Sequence, residues 1–310
     1  MNNHTLLRPK PYLKDLDQPV LDICRCQDGT LVAAVGSELG VGHIMICDSA
    51  KSEKLKDAQS KADLQIKTVY RTNRKTPSTM NSKLLQKIDS NIYFIENDKK
   101  IRRLYQQYGK WFNEPVKHLL KAPLQEIRAH GKDLFVMSQM EVGRIPSGKE
   151  MADVVTVCDA GTVLCTMDVT DELMVVVDVE VPNTAGKKSK TDLKMTIYVL
   201  DISTLKTLAY LDSFAEFNDH ARFARIVKGR DYYHIILVEG KESGAVGVLT
   251  LDKEKKKLVY LKKMGMNKEG MVNGLLCDDD LREFVCFGLH VCSNPQMESS
   301  ASPFMRLKLC

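Results

Sequence analysis

Hydrolytic or metal-assisted chemistry needs histidines, cysteines and carboxylates at fixed spacing. The seven histidines of this 310-residue chain do not supply it. His4, His43, His118, His130, His220, His234 and His290 stand apart, with no H-E-x-x-H pair among them. His43 and His234 fall in apolar runs, where a hydrogen-bonded structural role is the expected one. Asp219 and His220 adjoin in FNDHARF, and with Glu126 they are the few residues that could converge on a central ion. The plainer reading of the Asp–His pair is a hydrogen bond that fixes a turn. Cys24 and Cys26 form a C-x-C with no second pair at zinc spacing. Asp278-Asp279-Asp280 lacks the alternation and the closing Glu of a calcium loop and reads as a solvated turn. No G-x-S-x-G elbow, P-loop or G-x-G-x-x-G occurs. The glycine-rich Gly36–Gly42 stretch separates two apolar runs and reads as a flexible connection. The chain is therefore expected not to be an enzyme and to need no cofactor and no small-molecule substrate.

Charge and aromatic clusters are more informative. Basic runs occur at Arg71–Lys75, Lys99–Arg103, Lys187–Lys190 and Lys253–Lys257. Tyr108, Trp111 and Phe112 lie together in Gln106–Pro115, which reads as a loop. Buried aromatics of this kind can anchor a protein partner, or they can plug a scaffold.

Formal net charge is only +5, from 45 basic and 40 acidic residues spread along the chain, which does not force a nucleic-acid partner. Nine cysteines, most inside apolar runs, behave as small hydrophobes. Their odd number in a long chain argues against a disulfide framework and for a reducing cytoplasm or nucleus. No apolar stretch approaches a membrane span or the core of a signal peptide, so no membrane partner is expected.

The elements that must position these residues are short runs rich in Val, Ile, Leu, Tyr and Phe, such as TLVAAVG, NIYFIEN, DLFVMSQ, LMVVVDVEV and YYHIILVEG. Their length, alternation and close spacing are the mark of strands. Two exceptions, Lys51–Ala62 and Glu114–Lys121, have helical character. A sub-pattern repeats: TIYVLDISTLKTLAYL at 196–211 and VGVLTLDKEKKKLVYL at 246–261, each a strand closing on Asp, a tight turn and a second strand. Four strands per unit divide the chain at approximately 20–71, 83–120, 124–159, 161–212, 221–263 and 271–309. The last unit has only three strands, and 5–13, with Pro9 and Pro11 suited to an edge, would supply the fourth. The reading is an all-β chain forming a single closed β-propeller over 1–310. It has six blades of four antiparallel strands, seven being the alternative.

On these residues the chain resembles the WD-repeat-like propeller family. VLDICRCQDGTLVAAVGS at 20–37 is similar to that family's inner pair of strands, and TIYVLDISTLKTL to its third strand and following turn. Leu200 and Asp201 stand where the family often has Trp-Asp; the single tryptophan, Trp111, is elsewhere. The resemblance implies a rigid scaffold whose loops bind. Connections 72–82, 181–193 and 291–303 would share one rim. The expected partner-binding residues are Arg71, Arg74, Lys75, Lys187, Lys188 and Lys190 on that rim, with Trp111 and Phe112 as apolar anchors. The expected function is a non-catalytic interaction scaffold, a cytoplasmic or nuclear subunit binding other proteins in a larger assembly. RNA bound through its phosphates and a propeller hydrolase with a central metal are the alternatives.

Overall fold

The structure, a computed structural model, describes residues 20–25, 31–37, 40–47, 66–71, 84–97, 99–121, 123–146, 151, 153–180, 193–217, 219–229, 231–239, 245–252, 254–264, 271–277, 283–289 and 304–308. Every regular element among them is a strand, and among the described residues there is no helix.

The strands form antiparallel sheets in which each strand pairs with its neighbour in sequence. The first sheet holds β1 (Val20–Arg25), β2 (Leu31–Ser37), β3 (Gly40–Cys47) and β4 (Ile66–Arg71). The second holds β5 (Leu85–Ile88), β6 (Asn91–Asn97), β7 (Lys100–Gln107) and β8 (Lys110–Val116). The third holds β9 (Leu124–His130), β10 (Asp133–Ser138), β11 (Glu141–Ile145) and β12 (Asp153–Thr156). The fourth holds β13 (Thr162–Val169), β14 (Leu173–Glu180), β15 (Met195–Asp201) and β16 (Thr207–Phe214). The fifth holds β17 (Ala221–Lys228), β18 (Tyr232–Glu239), β19 (Val246–Asp252) and β20 (Leu258–Met264). β21 (Met271–Cys277), β22 (Glu283–Leu289) and β23 (Phe304–Lys308) form a three-stranded sheet.

Three local expectations need correction. Gln106–Pro115 is no loop: β7 and β8 meet in a two-residue turn at Tyr108 and Gly109, both at positive φ (49° and 72°), the geometry that matches strand twist. The second sheet therefore ends on Lys110–Val116, and Glu114–Lys121 is strand and irregular chain, with no helical turn. Gly36–Gly42 is mostly strand, because β2 runs to Ser37 and β3 starts at Gly40. The segments 5–13 and 51–62 and the connections 72–82, 181–192 and 291–303 lie outside the described residues.

Strand alternation explains the core. In β10, Leu134 and Val136 enter the apolar layer shared with the first and second sheets, while Phe135 and Met137 enter the layer against the fourth. In β14, Met174 and Val176 face the third sheet, and Val175 and Val177 face the fifth. A period-two strand buried on both sides reads as a continuous apolar run, which is why LMVVV carries no alternation.

The first strands hold successive sheets together: β1 packs on β5, β5 on β9, β9 on β13, β13 on β17 and β17 on β21. A side-chain acceptor crosses four of these junctions. Asp22 Oδ2 accepts from the N–H groups of Leu84 (2.9 Å) and Leu85 (3.0 Å). Gln86 Oε1 accepts from Ala129 N–H at 3.2 Å. Glu126 Oε2 accepts from Met167 N–H at 3.0 Å, and Asp168 Oδ2 from Ile226 N–H at 2.9 Å. Each bond satisfies a first-strand donor at the junction between sheets. Five of the first strands also carry one extra residue: Leu21, Gln125, Cys165, Arg222 and Asn273 sit at register shifts against the second strand. Such bulges bend a strand and re-aim its side chains.

The repeated turn is also real. Asp201 Oδ1 accepts from the N–H groups of Ser203 (3.0 Å) and Thr204 (2.8 Å), and Asp252 Oδ1 from Glu254 and Lys255 (both 3.0 Å). Leu205 and Lys256 then take the same left-handed conformation, φ 55° and 50°. The hydroxyls of Ser203 and Thr204, with these N–H bonds, hold Asp201 below the usual carboxylate range, and the N–H of Lys255 above all holds Asp252 there.

Three substitutions test this account. Asp168→Ala removes the acceptor for Ile226 N–H and leaves the buried Arg128 short of a partner; the loss should be about 3–5 kcal/mol in guanidinium denaturation. Asp171→Ala, at an exposed contact of 2.8 Å with His130 Nε2, should cost under about 1 kcal/mol. Lys256→Gly, at an exposed left-handed position, should gain about 0.5 kcal/mol, because relief of Cβ strain outweighs the entropy cost of glycine.

Candidate functional site

The β7–β8 hairpin carries two exposed aromatic side chains, Tyr108 and Phe112. Register sets which residues share a face: Tyr105 opposes Phe112 and Arg103 opposes Glu114, while Gln106 opposes Trp111 and Leu104 opposes Asn113. Alternation therefore puts Trp111 and Phe112 on opposite faces of one strand. On the first face the Tyr105 and Phe112 rings stack with centroids 5.7 Å apart. The Arg103 guanidinium lies 5.0 Å from the Tyr105 centroid and forms an ion pair with Glu114. Phe112 is 41% exposed, and Tyr108 at the hairpin tip is 93% exposed. The platform is thus two stacked rings, a cation on one of them and a third ring beyond.

On the other face Trp111 is half-buried against the core of the first three sheets. Further along the hairpin, Arg102 donates to Glu96 Oε2 at 3.0 Å and to Asn113 Oδ1 at 3.1 Å. Trp111 thus fixes the hairpin from below, and Phe112 is presented from above. The Lys99–Arg103 run, read as a basic cluster, places Arg102 and Arg103 in these two opposite ion pairs.

Of the expected basic rim, Arg71 is the last residue of β4 and pairs in register with His43. Arg74, Lys75, Lys187, Lys188 and Lys190 lie outside the described residues.

The residues considered for hydrolysis do not converge. Glu126 is fully buried, bonded to Met167 N–H, and 2.5 Å from Arg128 Nη2. Burial pushes its carboxyl up to about 7 against the opposing pull of Arg128. Arg128 also lies 3.3 Å from Asp168 Oδ1, and Arg225 lies 3.4 Å from Asp168 Oδ2, so the charges run through three sheets as a structural chain. Asp219 and His220 are elsewhere: Oδ1 sits 2.7 Å from Nδ1, and Asp219 N–H donates to Glu239 Oε1 at 2.8 Å, the turn-fixing arrangement. Among the described residues no group of three or more His, Cys, Asp or Glu could hold a metal ion. Burial raises the thiols of Cys158 and Cys165, which donate weakly to backbone carbonyls. Among the described residues no helix is long and apolar enough to cross a membrane.

No family model and no curated protein matches the chain. Solved structures do match. The β-propeller domain of Cps50 (Swd1) from Myceliophteria thermophila aligns at 9% identity over 87% of this chain and 79% of its own, with a TM-score of 0.55. A chain of the S. cerevisiae assembly of Dbp5 bound to Nup159, Gle1, IP6 and ADP aligns at 10% identity over 87% and 72%, with a TM-score of 0.51. The N-terminal domain of Nup159 aligns at 10% identity over 87% and 73%, with a TM-score of 0.50. At such identities the likeness is one of fold alone, and it agrees with the WD-repeat-like resemblance carried by the sequence: the chain has a β-propeller fold.

Proposed function

We propose that this chain is a non-catalytic interaction scaffold, a cytoplasmic or nuclear subunit of a larger assembly. The observation that carries the reading is the Tyr105–Phe112 platform with the exposed Tyr108 beyond it, held on a hairpin whose underside is fixed by Trp111. Exposed stacked aromatics with an arginine on one ring are the composition of a protein-binding hot spot. That solved structures sharing the fold include a multi-protein assembly supports the reading. The reading includes a single closed ring over 1–310, six blades of which the last is completed by 5–13. It also includes a basic rim of Arg71, Arg74, Lys75, Lys187, Lys188 and Lys190 that takes an acidic protein surface. RNA bound by that rim is the second reading, carried by the basic runs alone.

Affinity recovery of the full chain with mass spectrometry would identify the partner, and variants would locate its site. Phe112→Ala with Tyr108→Ala should weaken partner binding at least about tenfold while costing no more than about 1.5 kcal/mol of stability, the loss of the Tyr105–Phe112 stack. Trp111→Ala should cost about 2 kcal/mol of stability and weaken binding through the loosened hairpin. Reversing the charges at Lys187, Lys188 and Lys190 should weaken an acidic partner. RNA recovered in place of protein, with affinity falling steeply as salt rises, would instead establish the second reading. Full recovery of every partner by all of these variants would refute the assignment.

A further inference from the structure

Each of the five four-stranded sheets presents an outer strand, and four of these edges are blunted. β4, β16 and β20 each break register against their inner neighbour, and β12 is only four residues long. Bulges and short length are how native sheets keep an edge from pairing with another chain. β8 has neither, running for seven residues in unbroken register with β7. Among the described residues no strand lies beyond it.

The turn sets which groups this edge offers. In a two-residue hairpin the residues flanking the turn exchange both backbone bonds, and bonded pairs then alternate along the ladder. Gln107 and Lys110 flank the turn, so Tyr105–Phe112 and Arg103–Glu114 are the next bonded pairs. Trp111, Asn113 and Pro115 alternate with them and turn their backbone groups outward. The proline thus stands where the hairpin requires no N–H from it. Trp111 and Asn113 each hold an N–H and a C=O to the open edge.

That edge is complementary to itself. When it is laid antiparallel on a second copy about Phe112, Trp111 meets Asn113 of the second copy, and their outward donors and acceptors match. The exposed Lys110 meets Glu114 of the second copy, and symmetry repeats the pair. Glu114 is held by Arg103, yet its side chain is 42% exposed, and a carboxylate accepts from more than one cation. Phe112 meets Phe112 on the two-fold axis as an unbonded pair, where Cα atoms approach to about 4.5 Å and side chains lie closest. The Tyr105–Phe112 stack then continues across the axis on one face of the joined sheet. Pro115 falls beside Gly109, in the turn of the second copy, so the ladder ends where the proline has nothing to donate. We propose that two copies of this chain associate through β8, joining their second sheets into one. The proposal names a partner for the aromatic platform and so rests on that reading of the hairpin. The contact is isologous and closes at a dimer, and its short ladder makes the dimer a weak, exchanging one.

The test is sedimentation equilibrium of the full chain under reducing conditions, which keep the cysteines from cross-linking copies. A monomer–dimer equilibrium is expected with a dissociation constant on the order of 10–100 μM. Lys110→Glu and Glu114→Lys, each alone, set like charges opposite one another and should weaken the dimer at least about tenfold. Mixing these two variants sets opposite charges together again, as does combining both substitutions in one chain, and each should restore association to within about threefold. Phe112→Ala should weaken it about tenfold. A chain that stays monomeric at about 500 μM, single reversals without effect, or failure of both the mixture and the double variant to associate would each overturn the self-pairing. A monomer that still loses its other partners on Phe112→Ala would overturn it while leaving the platform reading in place.

Discussion

The arrangement of sheets depends on one recurring bond, a side-chain acceptor on a first strand taking a backbone N–H from the next first strand. Sheets that radiate from a centre are closest at their first strands, where water is excluded and donors on the strand edge lack a ladder partner. Leaving such an N–H bare costs about 1–3 kcal/mol, comparable with the contribution of a well-packed side chain. Asp22, Gln86, Glu126 and Asp168 remove that cost at successive junctions. Because the acceptor belongs to one sheet and the donor to the next, the bond also fixes how far each sheet slides along its neighbour. Dispersion between apolar faces sets no such register, so the polar bonds specify what the apolar layers stabilise.

Using carboxylates for this purpose has an electrostatic consequence. Glu126 and Asp168 bring charge into the wall, and Arg128 and Arg225 answer it. The balance is incomplete at Glu126, whose carboxyl is raised from 4.5 to about 7 by burial. The sign is that of a group protonated more readily when folded. Its favourable contribution is complete below the ordinary carboxylate value and is lost as pH rises toward 7. Asp201 and Asp252 have the opposite sign, since their turns favour the ionised form and strengthen as pH rises out of the acid range. The molecule's inner wall and its outer turns therefore respond to acid in opposite directions.

The sequence made the strands legible because a strand buried on one or both faces must carry apolar residues at short period. It made the Asp201 and Asp252 turns legible because the same Asp, spacing and following basic strand occur in both copies. β8 was hidden for a physical reason. None of its residues is fully buried, and KWFNEPV contains Asn, Glu and Pro, so an outermost strand has the composition of a loop. The junction bonds were hidden for another. Their acceptors differ in type and in distance from the strand start, and only a charge stranded in an apolar run, as in LQEIRAH or TVLCTMDV, hints at them.

The aromatic hairpin shows the same limit. Tyr108, Trp111 and Phe112 are adjacent in sequence, so their clustering was visible, but proximity along a strand separates faces as readily as it joins them. Recognising the platform required the cross-strand partner, Tyr105, which lies seven residues before Phe112 and opposite it in register. A cleft on the fourth sheet draws on Asp159, Asp178, Tyr198 and Asp212, which no short motif connects. Its one local sign was an aspartate inside LMVVVDVE, a position where burial makes an ionised group expensive unless something compensates it. A carboxylate at such a position calls for an interaction that a strand of valines cannot supply. In Glu126 and Asp168 the structure shows that interaction as an arginine of the same chain; at Asp178 it is the Thr196 N–H and the Tyr198 hydroxyl.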